Sequence, residues 1–183
     1  STKPAGDMGK ALHAHGIATS YAAADSLAHH PDMTLMVNLL SVIDNPRDDV
    51  PLIGLLSSEE SPFTLADLMA LRRGNKDAAT SLYDDLCAVF EEEGAACPLT
   101  PQKKEQLHTF LTRLTQWRAL AATLPIDRLI RKLMAEPFLA HKASSPALLA
   151  LYDKARAYQN ASFCGLYQFM PYFRRLLADE DAL

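Results

Sequence analysis

Glycine is scarce in this chain, with only 7 in 183 residues. None falls in a GxxxxGK[ST], GxGxxG or GxSxG pattern, so the sequence offers no phosphate-cradling loop and no nucleophile elbow. Cysteine is scarcer still. Cys87, Cys97 and Cys164 are odd in number, far apart and without a CxxC pair, which suits free thiols in a reducing compartment. No apolar run approaches the roughly 18 residues that a membrane span requires. The first 30 residues lack the basic start and apolar middle of a signal peptide. The expectation is a cytoplasmic protein with no membrane partner.

Clusters that could carry chemistry are also missing. His13 and His15 stand two apart, which points them to different sides of a helix. His29 and His30 are adjacent in an expected loop. A metal needs ligands that converge, so these read as surface or capping histidines. Asp84-Asp85 and Glu91-Glu92-Glu93 have no basic partner nearby in sequence and read as a solvated helix face. Cys164 precedes Gly165 with no recognisable histidine partner. No catalytic, cofactor-binding or metal-binding residue is therefore expected, and a freestanding enzyme is the weakest reading.

What the sequence does contain is helical periodicity. The composition, 49% hydrophobic and 22% charged, is that of a globular domain long enough to bury a core without disulfides. Residues 7–15 suit a short helix and Ile17–Ala23 a single weak strand with no partner inside the chain. Pro31 opens a helix whose apolar stripe is Leu35, Met36, Leu39, Leu40 and Ile43, and Asn45-Pro46 ends it. Asp48 or Asp49 caps the next helix, with Pro51 in its first turn. Thr64 caps another that stops at Gly74, and one helix is expected over 76–93. Thr100-Pro101 starts the longest helix, which runs to about Leu124 and has the spacing of a central strut. Pro125 and Pro146 each open a further helix. In the last one, Pro171 either kinks the helix or begins a second segment, and Phe169 and Phe173 are read as core. The expected fold is all-α, an irregular bundle of about eight to ten helices with one short orphan strand near the N-terminus.

Charge is distributed unevenly. Residues 1–100 carry 6 basic and 15 acidic side chains, whereas 101–178 carry 12 basic and 4 acidic. Arg128, Arg131 and Lys132 share one helix face at i, i+3, i+4. Arg174 and Arg175 follow the aromatic set Tyr167, Phe169, Tyr172 and Phe173. Cations so arranged suit phosphates, although basic residues can also simply solvate long helices.

The stretch from His15 to Leu56 resembles UvrD-type superfamily-one helicases at Gly16, Ile17, Asn45, Pro46, Arg47, Asp48 and Asp49. A more specific resemblance is to the AddA subunit of AddAB helicase-nucleases, with RecB more distant. It lies in Leu124, Pro125, Leu129, Ile130, Leu151, Tyr152, Lys154-Ala155-Arg156, Phe163, Gly165, Leu166 and Phe169. The sequence departs from the pattern at Ala18-Thr19, where the family has Pro-Tyr, and at Ala22–Leu27, where a glycine- and aromatic-rich turn is usual.

The resemblance implies that residues 1–28 are a remnant of the preceding motor lobe, which would explain the orphan strand. Residues 29–183 would be a helical accessory domain of the 2B type. It implies no ATPase or nuclease residues in this chain, with ATP and magnesium held by the parent protein. The implied partners are duplex DNA, the remaining motor domains and a partner nuclease subunit, with a role in double-strand break repair and recombination. Arg128, Arg131, Lys132, Arg174 and Arg175 are the candidate DNA contacts. A module that docks the partner subunit through an apolar helix face is the alternative.

Overall fold

The computed structural model describes residues 30–74, 80–91, 98–161 and 165–181. Among these are eight α-helices, one short 3-10 turn and no strand. The helices are α1 (Pro31–Asp44), α2 (Asp49–Leu56), α3 (Leu65–Gly74), α4 (Leu82–Glu91), α5 (Pro101–Thr123), α6 (Ile126–Met134), α7 (Pro146–Ala161) and α8 (Leu166–Asp181). The turn Ala140–Lys142 links α6 to α7. The all-α expectation therefore holds. The expected helix at 7–15 and strand at 17–23 lie outside the described residues.

Local capping chemistry accounts for half of the helix starts. His30 caps α1, its Nδ1 accepting from the Asp32 backbone N–H at 3.2 Å, and Pro31 supplies a helix-ready φ. Asn45 closes α1, its N–H donating to the Ser41 carbonyl at 2.8 Å. At α3, Thr64 and Asp67 form a reciprocal box: the Thr64 N–H and hydroxyl both donate to Asp67 Oδ2, at 2.8 and 2.7 Å. Thr100 caps α5 by accepting from the Lys103 N–H.

Two sequence expectations need correction. The helix expected over 76–93 begins only at Leu82 in the described part, because Ser81 caps it. The Asp84 N–H donates to Ser81 Oγ at 3.2 Å, and the Ser81 hydroxyl returns to Asp84 Oδ2 at 2.8 Å. The strut role belongs to α1 rather than to the longer α5. Helix α1 packs on α2, α5, α7 and α8. Met33, Leu35, Met36, Leu39, Leu40, Val42 and Ile43 are all buried and cover about half of its circumference, and Ser41 is buried on the other side. Each fully buried side chain of this kind contributes about 1.5–3 kcal/mol over its exposed state.

Helix α2 lies along α1, with Gly54 facing the Asn38 side chain. A Cβ there would stand 2.5 Å from Nδ2 of Asn38. The chain continues helically through Pro171, which is exposed within α8. Phe169 and Phe173 are both fully buried and stacked, with centroids 5.3 Å apart. No helix among the described residues is long and apolar enough to cross a membrane.

Candidate nucleic-acid interface

The charges of α1 to α4 are largely consumed by the fold. Arg47, in the turn between α1 and α2, grips Asp84 on α4 through Nε and Nη2, the shortest contact being 2.9 Å. The guanidinium, followed by the Ser81 hydroxyl, holds the Asp84 carboxyl below its ordinary range. Arg72 on α3 reaches Asp85 Oδ2 at 2.9 Å and Asp49 Oδ2 at 3.6 Å. Asp49 also accepts the Leu82 N–H at 2.8 Å, so it caps a helix 33 residues away. Asp84 and Asp85 are therefore not the solvated face that their sequence neighbourhood suggested. Their basic partners come from 37 and 13 residues away.

The same holds between distant helices. Lys103 on α5 binds Asp67, and this ammonium, ahead of the Thr64 hydroxyl, draws the Asp67 pKa down to about 2. Lys142 bridges Asp32 at 2.8 Å and Glu60 at 3.1 Å, and both carboxylates raise its pKa. Burial alone would raise the Asp32 carboxyl, but its polar and charged partners, led by Lys142, together outweigh it and the net shift is downward. His30 Nδ1 stands 3.5 Å from Asp32 Oδ2. The same nitrogen accepts the Asp32 N–H, so the contact belongs to the cap of α1.

The second half differs. On α6, Ile126, Leu129, Ile130 and Leu133 are completely buried. This fixes the helix and turns Arg128, Arg131 and Lys132 outward, where all three are exposed. None of the three makes an ion pair among the described residues. Arg131 and Lys132 occupy the last turn, where the helix dipole alone would favour cations. Arg174 and Arg175 are exposed on α8. Arg174 donates to Ser41 Oγ on α1 at 3.1 Å, whereas Arg175 makes no ion pair among the described residues.

The trio and the pair ride on different helices, α6 against α7 and α8 against α1. Sequence reasoning missed Arg156, which is exposed on α7, the helix that packs against α6. It too makes no ion pair among the described residues. Its signal was the basic-Ala-basic run, where Ala155 is fully buried. Among the described residues no three His, Cys, Asp or Glu side chains gather as a metal cluster. Burial raises the thiol pKa of Cys87.

No family profile matches the chain. Individual relatives do. Over 158 residues, 82% of the chain, it is 33% identical to the AddA-type ATP-dependent helicase/nuclease subunit of Anoxybacillus flavithermus, covering 12% of that protein. It is 31% identical over 94% of its length to the corresponding subunit of Geobacillus kaustophilus, covering 14% of it. It is 35% identical over 83% of its length to that of Lactiplantibacillus plantarum, covering 13%.

The chain belongs to the AddA family of ATP-dependent helicase/nuclease subunits. It spans about an eighth of the length of these relatives. The UvrD-type and AddA resemblances were carried by residues that, where described, have structural roles. Asn45 ends α1, and its Oδ1 accepts the Arg47 N–H at 3.2 Å. Pro46 is buried in the turn. Asp48 caps α2 without a side-chain hydrogen bond, and Asp49 caps α4. Tyr152 and Phe169 pack in the core. Gly165 starts α8 with open space where a Cβ would stand. Phe163 lies outside the described residues.

Proposed function

We propose that the chain is the accessory, 2B-type domain of an ATP-dependent DNA helicase/nuclease that works in double-strand break repair and recombination in the cytoplasm. The domain boundary would fall near residue 28, with the preceding residues belonging to a motor lobe. The role is positional. The domain orients duplex DNA against the motor and restrains the motor's movement, and it forms or breaks no bond itself. ATP and magnesium are held by the motor lobes, in keeping with the lack of a GxxxxGK[ST] loop in this sequence.

The observation that carries the reading is the Arg128, Arg131 and Lys132 face, three exposed cations on a helix locked by buried Ile126, Leu129, Ile130 and Leu133. A phosphate backbone neutralises such a face and releases counterions in doing so. The test is to replace Arg128, Arg131, Lys132, Arg174 and Arg175 with Ala in the parent protein. Duplex binding should weaken and its salt dependence flatten. Unchanged binding with a preserved salt slope refutes the site.

A docking role toward a partner nuclease subunit has its own supporting observation. A cleft of about 480 Å³ opens between the segment 58–63 and α5, with Phe63, Phe110, Trp117 and Phe138 among its walls. Trp117 is anchored there by donating Nε1–H to Glu136 at 3.0 Å. Phe110→Ala should weaken association with the partner subunit, while duplex binding stays intact.

A further inference from the structure

The basic site on α8 differs in kind from the one on α6. Residues 126–134 include no aromatic side chain. On α8, Tyr167 is 79% exposed and Tyr172 is 39% exposed. At 100° per residue, Arg174, Tyr167, Pro171, Arg175, Gln168 and Tyr172 succeed one another around a single arc of roughly 160°. All six are exposed. Leu166, Phe169, Met170 and Phe173 fill the opposite side and are buried. Arg175 falls between the two tyrosines in azimuth but lies about 4.5 Å beyond Tyr172 along the helix axis. Along the helix axis, Tyr167 and Tyr172 are separated by about 7.5 Å.

The rings differ in how they are held. Tyr172 stacks on Tyr158 with centroids 4.4 Å apart and planes at 21°. The Tyr158 hydroxyl is in turn fixed by donating to the Gln168 carbonyl at 3.2 Å. Tyr172 is thus already positioned as a flat surface at the edge of the core. Tyr167 makes no ring contact among the described residues and projects into solvent.

We infer that the outward face of α8 is a stacking platform for the unpaired bases of a single nucleic-acid strand, with Tyr167 and Tyr172 as the rings and Arg175 at a backbone phosphate beyond Tyr172. The inference rests on the DNA-binding reading proposed above and assigns α8 a different strand state from α6. A duplex has its bases already stacked on one another, so exposed tyrosines gain little from it. An unpaired base offers a π-face to any aromatic ring, whatever its sequence. An apolar protein partner would have to bury Arg175 without a counter-charge, which is costly. A polyanion supplies that charge.

The experiment uses the 183-residue chain with two probes: a thymine oligonucleotide carrying one 2-aminopurine, and a blunt duplex. Stacking on tyrosine should quench the 2-aminopurine emission on binding. Tyr167→Ala should weaken single-strand affinity by roughly 5- to 150-fold and abolish most of the quenching. Tyr167→Phe should retain both, because the ring is kept. Neither variant should change duplex binding or the salt slope. Arg175→Ala should instead lower the single-strand salt slope by about 0.7. Because the Tyr167 ring is so exposed, its replacement leaves folding undisturbed, and circular dichroism checks this.

Single-strand affinity unaltered by Tyr167→Ala overturns the inference. If duplex binding through α6 persists in that case, the α8 platform fails alone and its tyrosines belong to a protein contact. Loss of single-strand binding in Tyr167→Ala, with duplex binding indifferent to the α6 cations, supports the platform and overturns the α6 assignment instead. Absence of binding to either probe overturns both.

Discussion

Helices α1 to α4 and helices α6 to α8 handle charge in opposite ways. In the first group Asp32, Asp49, Glu60, Asp67, Asp84 and Asp85 each have a cation within 4 Å. Two of those cations, Lys103 and Lys142, are drawn from later in the chain. In the second group Arg128, Arg131, Lys132, Arg156 and Arg175 are exposed without an ion pair among the described residues. Among the described residues, those six acids of the first half thus hold helices together, and those five cations of the second half are left facing solvent. Unpaired cations add little to stability, so they remain available to a partner from outside. Charge pairing, more than net charge, separates the part that builds the fold from the part available to a polyanion.

The comparison makes stability and binding separable by mutation. The largest loss of stability is expected in the shared core. Phe169→Ala should cost about 3–5 kcal/mol in urea unfolding, since it empties the ring stack beneath α8. Next comes Asp85→Ala. The carboxylate is only 5% exposed and accepts from both Arg72 and Thr80. Its loss should cost about 1–3 kcal/mol by leaving those donors unmatched, with duplex affinity unchanged. A fall in duplex affinity would blur the boundary between the two regions.

Acid should act on the first region alone. Asp67, Asp84 and Asp32 all have folded-state pKa values below the ordinary carboxylate value. A depressed folded pKa contributes stability that is fully present above the unfolded value, about 3.9. That stability is lost as pH falls through the folded values, which for Asp67 means toward about 2. The urea midpoint should therefore drop between about pH 5 and about pH 3, and the drop should be shallower in Asp67→Asn. A pH-independent midpoint in this range would mean that the pairs contribute nothing. The smallest effect is expected at the α5 cap. Thr100→Ala should cost roughly 1 kcal/mol and leave binding untouched.

The sequence made legible whatever is decided within three or four residues. Pro31 and Asn45-Pro46 bracket α1, Thr64 and Thr100 begin their helices, and Pro125 separates α5 from α6, as the structure has them. The outward trio on α6 was equally readable, because 3.6-residue periodicity places it opposite Leu129 and Leu133. What failed needed contacts between distant parts of the chain. Asp84 appeared unpartnered because Arg47 is 37 residues away. The hub role of α1 stayed hidden because helix length, which favours α5, says nothing about how many neighbours cover a helix. Which helices the basic residues' own helices pack against, α7 for α6 and α1 for α8, is likewise information that periodicity does not carry. Arg156 was overlooked because its exposure depends on Ala155 being the buried member of its run.

The central claim is that the α6 cations meet DNA phosphates and do not hold the fold. It is tested most directly by fluorescence anisotropy of the 183-residue chain on a tailed duplex across a salt series, with and without Arg128→Ala, Arg131→Ala and Lys132→Ala together. The expected result is salt-sensitive binding whose log–log slope shrinks by roughly 2.7 in the triple variant, at about 0.9 per lost phosphate contact. The urea midpoint should stay where it was. A slope identical in the two proteins, or binding indifferent to salt from the start, would contradict the account.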